Sequence, residues 1–148
     1  MDNYEYIDLG LPSGTLWATF NVGAESIADY GFYLNYKEAT ECGVTLPTRE
    51  QFNELFENTI YKFMVNYNNC NVCGGLFIGK NGKELFFPDN GYVYGNSQYG
   101  RTTHAFYWSS TKGEYDNTSY AAYIFSAIRT TNQYDNDVRF SVRGVKNS

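Results

Sequence analysis

Leu46-Pro47-Thr48-Arg49-Glu50-Gln51-Phe52 opens a segment whose geometry is specified from two directions. The Thr48 hydroxyl is placed to accept from the first helical turn, and Gln51, three residues on, can reach back to the Thr48 backbone, a reciprocal cap. Behind it Phe52, Leu55, Phe56 and Ile60 recur at helical spacing and make one apolar stripe. Glu50 and Glu54 lie near the helix start, where carboxylates are favoured. A helix over 48–58 is therefore expected. A second is expected over 24–40, although Gly31 sits mid-stretch and its Tyr, Phe and Asn are middling helix formers.

On either side of the capped helix the pattern changes to short apolar runs bounded by turn residues. Residues 6–11 meet Pro12-Ser13-Gly14, a turn signal, and 16–20 follow as a strand. Downstream, Leu76-Phe77-Ile78 and Leu85-Phe86-Phe87 flank Asn81-Gly82, a strong short-range hairpin signal. Further strands are expected at 92–94, 106–109, 120–128 and 138–142. No fixed-period repeat appears, which removes solenoids and propellers. The fold class that follows is α+β, a twisted antiparallel sheet with one or two helices. With 148 residues the chain fits one domain able to bury its own core.

The formal net charge of −5 argues against nucleic acid, because phosphate contacts need a basic face. No segment approaches the ~20 apolar residues of a spanning helix, so no membrane insertion is expected. Residues 1–14 lack the basic start and apolar run of a signal peptide. Cys42, Cys70 and Cys73 read as free thiols or a local disulfide, because a zinc site needs about four ligands and no ligand spacing is present. His104 stands without a neighbouring nucleophile motif and reads as a loop residue. Asp116, Asp135, Asn136 and Asp137 lack calcium-loop spacing and read as solvated loop. No metal, no cofactor and no enzymatic activity are expected.

Aromatic residues make up 19% of the chain, 15 of them Tyr, and Tyr can serve both a core and a wet contact surface. They concentrate late. Glu114-Tyr115-Asp116-Asn117-Thr118-Ser119-Tyr120 and Thr130-Thr131-Asn132-Gln133-Tyr134-Asp135-Asn136-Asp137 have the composition of antibody paratopes: rigid amphipathic rings beside adaptable hydrogen-bonding groups.

Five motifs occur in order: Tyr6 to Thr19 with Asn21-Val22-Gly23-Ala24; Leu46 to Phe52; Phe87-Pro88 with Gly91-Tyr92; Tyr107-Trp108-Ser109-Ser110-Thr111; and Phe140-Ser141-Val142-Arg143. The series resembles the major paralogous domain family of Fibrobacter and Bacteroides, domains of C-type lectin-like fold that are frequent variable proteins of diversity-generating retroelements. In those systems adenine-directed errors rewrite the 3′ end of the gene, up to a Phe-Ser-Val-Arg-like segment. The resemblance implies a scaffold at 1–103 and a variable ligand-binding region at 104–143. Arg139 stands where the family usually has Gly before that segment. The calcium-dependent sugar motifs of true C-type lectins are missing, as are the paired cysteines of the distantly related formylglycine-generating enzymes.

The expected contact residues are Phe106, Tyr107, Tyr115, Asp116, Asn117, Tyr120, Tyr123, Arg129, Asn132, Tyr134, Asp135 and Asp137. Tyr120 and Tyr123 fall on opposite faces of a regular strand, so one of the two belongs to the core. Trp108, Ile124, Phe140 and Val142 are expected in the core. The implied partner is a cell-surface protein or glycan, met extracellularly from a phage tail tip or a bacterial surface. Trimeric display is common among such phage proteins, so a homo-oligomer is compatible with the resemblance. The alternative is a non-diversified adhesin or structural domain of a bacterial surface protein.

Overall fold

A computed structural model describes residues 4–126 and 128–147. In chain order come β1 (Tyr6–Asp8), β2 (Leu16–Ala18), α1 (Tyr36–Thr40), α2 (Arg49–Glu57), β3 (Ile60–Met64), β4 (Gly74–Ile78), β5 (Glu84–Pro88), β6 (Tyr92–Tyr94), β7 (Ser97–Tyr99), β8 (Ala105–Lys112), β9 (Thr118–Phe125), β10 (Ile128–Asp135) and β11 (Val145–Lys146). They form small antiparallel sheets, β1–β2–β11, β3–β4–β5, β6–β7 and β10–β9–β8, with two helices: an α+β architecture.

The α2 cap forms as its sequence specifies. Gln51 N–H donates to Thr48 Oγ1 at 3.1 Å, and Thr48 N–H donates to Gln51 Oε1 at 2.8 Å. Phe52 and Leu55 are buried, and the Phe52 ring lies 5.2 Å from Trp17. Strands β4 and β5 join across Asn81-Gly82, where Gly79 N–H donates to Lys83 O at 2.8 Å.

Three expectations are corrected. The helix over 24–40 shrinks to α1, which begins at a second capping box between Asn35 and Glu38. Ahead of it Gly31 takes φ +72°, and a Cβ there would stand 2.3 Å from Val22 O, so the chain folds back on 21–22. The strand over 138–142 is not a regular strand; Arg139, Phe140 and Ser141 make isolated bridges to Val93, Leu34 and Tyr107. The strand over 120–128 ends at Phe125, and after a turn β10 begins at Ile128; Ala127 lies outside the described residues. Gly74 and Gly75 open β4. A Cβ on Gly74 would sit 2.3 Å from Phe87 O and one on Gly75 2.6 Å from the Tyr61 ring, so only glycine fits.

The sheet β8–β9–β10 separates two cores. Its alternation sends Tyr107, Ala122 and Ile124 to a cluster with Trp17, Phe52 and Phe87. Phe106, Trp108 and Ala121 go to the other, with Tyr36, Phe140 and Val142. Between the sheets Arg143 is fully buried. It donates to Asn21 Oδ1 at 2.8 Å, Ala18 O at 3.2 Å and Phe86 O at 2.9 Å, and lies 4.4 Å from the Phe87 ring centre. Burial lowers its pKa to about 10, still protonated at neutral pH.

Candidate ligand-binding groove

Pairing along the last three long strands decides which side chains a ligand can meet. Phe106 stands opposite Tyr123. Asn132 and Tyr134 on β10, opposite Ala121 and Ser119, fall on the same face. With Tyr92, Val138 and Phe140 they line a concavity of about 370 Å³. A second of about 300 Å³ shares the Tyr92, Phe106 and Tyr123 walls and continues to Tyr99, Gly100 and His104. Both volumes fall in the range of small-molecule sites, roughly 300–1,000 Å³.

Phe106 is the floor. Its ring lies 5.1 Å from Tyr123, 5.2 Å from Tyr92, 5.6 Å from Tyr134 and 5.1 Å from Phe140. Asn90 fixes its backbone from both sides: Asn90 Nδ2 donates to Phe106 O at 3.0 Å, and Phe106 N–H donates to Asn90 Oδ1 at 2.9 Å. Gln98 Nε2 donates to the carbonyls of Asn90 (3.0 Å) and Tyr92 (3.1 Å), tying the β6–β7 hairpin to the same residue. Gly91, at φ +64°, lets the chain pass so close that a Cβ would stand 2.0 Å from Tyr99 O. Tyr92 and Tyr99 stack at 5.1 Å, and His104 stacks on Phe125 at 4.4 Å.

Charge is absent from these walls. His104 is their single group that titrates near neutrality, and burial lowers its pKa, so it is neutral at pH 7. Its Nδ1 lies 2.6 Å from Thr103 Oγ1, and that hydroxyl donates to Gly100 O at 3.0 Å, a local turn bond.

Of the twelve expected contact residues, Phe106, Tyr123, Asn132 and Tyr134 line the groove. Tyr107 does not: it is 0% exposed, and its hydroxyl donates to Pro88 O at 3.2 Å while accepting from Asn21 Nδ2 at 3.0 Å. Tyr120 is 6% exposed and belongs to the opposite face, under the Arg49 guanidinium at 4.1 Å. Arg129 lies on that opposite face too, 4.4 Å from the Tyr61 ring centre. Burial of Tyr107 and Tyr120 corrects the expected surface, and strand alternation places the half-buried Arg129 away from the groove.

The other five gather at the hairpin tip, apart from the groove. Tyr115 (72% exposed), Asp116 and Asn117 form the β8–β9 turn, and Asp135 and Asp137 lie beside it. Asn117 and Asp137, with Lys37, Lys112 and Asn136, border a third concavity of about 500 Å³ against α1. Asp135 Oδ1 accepts from Asn117 Nδ2 at 3.1 Å and from Asp137 N–H at 2.8 Å, so its carboxylate builds the turn. Among the described residues no group of His, Cys, Asp and Glu is arranged to hold a metal ion, and the three cysteines are free thiols.

Sequence reasoning missed Tyr92, Tyr99, His104, Val138 and Phe140 as groove walls. The Gly95-Asn96 pair between two Tyr-bearing runs was the available signal for the hairpin that carries Tyr92 and Tyr99. No model of a known protein family, no curated protein and no solved structure matches this chain.

Proposed function

We propose that the chain is a recognition module of C-type lectin-like architecture, related to the retroelement-diversified domains its motifs resemble, which binds a cell-surface ligand. One observation carries the reading: burial within 104–143 divides as a frame and a display surface would. Residues 105–109 and 140–145 are buried throughout, whereas 112–117 and most of 128–139 are exposed or half-buried. The large residues of the quoted motifs fall in the frame. Trp17, Trp108, Phe140 and Arg143 are all buried, while Tyr115, Asp116, Asn132 and Asp137 project outward. Exposed substitutions typically cost within about 0.5 kcal/mol, so such a surface tolerates replacement.

A second reading, an adhesin domain with a fixed site, is favoured by a specific observation. Phe106, Tyr123 and Tyr134 pack into the same cluster as Trp108 and Phe140, so the groove walls are also core and are not freely replaceable. Under the first reading diversity resides at the hairpin tip and on Asn132; under the second it is absent.

Two measurements test these readings. Adjoining DNA should carry a near-copy of codons 104–143 that differs only at adenines, beside a reverse transcriptase gene; an adjoining region without it removes diversification and leaves the adhesin. Fluorescently labelled domain should stain intact gut-bacterial cells, and Tyr99→Ala with Asn132→Ala should abolish staining without lowering the Tm by more than a few degrees. Equal staining by the folded variant would overturn the assignment of the groove.

A further inference from the structure

We infer that the groove selects a neutral saccharide, with a pyranose ring lying over the Tyr92–Phe106–Tyr123 walls. The inference rests on the recognition reading above and adds the chemical class of the ligand.

Three features argue for it. First, the lining is uncharged at pH 7: the two adjoining concavities contain no carboxylate, lysine or arginine, and His104 is held neutral by burial. Beyond the rim, Arg139 is ion-paired with Glu38, and Arg101 is turned to the Tyr33 hydroxyl and the Tyr30 ring. A charged ligand against such walls would lose hydration with no opposite charge to compensate it. Charge complementarity therefore requires a neutral ligand.

Second, the walls are ring faces and edges while the rim is hydrogen-bonding. Among the described residues the hydroxyls of Tyr92, Tyr99 and Tyr123 make no hydrogen bond to protein. Asn132 is exposed and donates through Nδ2 to Tyr134 Oη at 3.3 Å, which leaves its Oδ1 as an acceptor for a ligand. A pyranose has this same division, apolar C–H faces and an equatorial edge of hydroxyls that both donate and accept. An aliphatic ligand would leave the rim groups dehydrated and unpaired.

Third, the site is concave and small. Two connected spaces of about 370 and 300 Å³ suit consecutive rings of a chain. A protein partner needs a broad patch of roughly 800 Å² on each side. The walls are also preorganised: Phe106 is clamped by Asn90, and Tyr92 by its stack on Tyr99, so little side-chain entropy is lost on binding.

The test is an NMR titration of the intact chain with neutral hexasaccharides of glucose, galactose, mannose and xylose, and with hexagalacturonic acid as the charged counterpart. At least one neutral hexasaccharide should saturate the protein with a Kd of about 10 mM or tighter, shifting amide signals of 92–106, 123 and 132–134. Asn132→Ala and Tyr99→Ala, both exposed positions, should each weaken binding roughly tenfold with unchanged melting. Hexagalacturonic acid should leave those signals in place. Failure of all four neutral sugars to shift groove signals overturns the inference, as does equal binding by both variants or by the acidic sugar. If the sugars fail while groove variants still abolish cell staining, the saccharide assignment falls and the recognition module stands; if the groove variants also stain as wild type does, the groove itself falls as the recognition site.

Discussion

Asp89 sits in an environment unfavourable to its charge. It is 2% exposed, its Oδ2 has no hydrogen-bond partner among the described residues, and desolvation raises its pKa from 3.8 to about 7. A carboxyl whose folded pKa lies above its unfolded value binds its proton more tightly when folded. Its contribution is complete below pH 3.8 and is lost as pH rises through about 7. At ~1.36 kcal/mol per pKa unit the loss amounts to a few kcal/mol. Denaturant unfolding of wild type and Asp89→Asn across pH 4–8 should show this: the wild type should lose stability relative to the variant as pH rises, and parallel profiles would contradict it. A second residue-scale expectation concerns Arg143. Replacing it with Leu strips the donors from Asn21 Oδ1, Ala18 O and Phe86 O in a buried site. The expected loss is on the order of 3–5 kcal/mol in chemical denaturation, and a loss under about 1 kcal/mol would show that the buried network contributes little. Neither residue was legible in the sequence. Asp89 reads as part of a Pro-Asp-Asn-Gly turn, and Arg143 as the end of a motif; burial of both depends on strands remote along the chain.

At the scale of elements, legibility followed the range of the interactions. The α2 cap and the Asn81-Gly82 hairpin are set within a few residues, and both formed as expected. Thr48→Ala should therefore cost about 1 kcal/mol, measured as a shift in the denaturation midpoint, and a neutral result would mean that Arg49 and Thr111 hold the helix start without the cap. The 24–40 segment failed as a helix because its partner is Val22, and β10 was absent from the expected strands because its Asn, Gln and Asp mask a β-branched Ile128, Thr130 and Thr131. The same strand logic separated the aromatic residues. Composition marked Tyr107, Tyr120, Tyr123 and Tyr134 alike, but only register assigns Tyr123 and Tyr134 to the groove and the other two to the interior.

Over the whole molecule the arrangement is a frame closed by β1–β2–β11 and by the Asn21–Tyr107–Arg143 contacts, with an aromatic groove and a hairpin tip at different ends of one sheet face. The five expected residues at the hairpin tip were legible because paratope-like composition reports exposure at turns, where no partner strand intervenes. The remainder needed the β6–β7 hairpin, which supplies Tyr92 and Tyr99 from outside the region the composition marked. The central claim is that the frame's stability is independent of the displayed side chains. Its most direct test is the thermal midpoint of one variant carrying Tyr115→Ser, Asp116→Ser, Asn132→Ser and Asp137→Ser. At about 0.5 kcal/mol or less per exposed site, the Tm should stay within about 8 °C of wild type; a larger fall would contradict the claim.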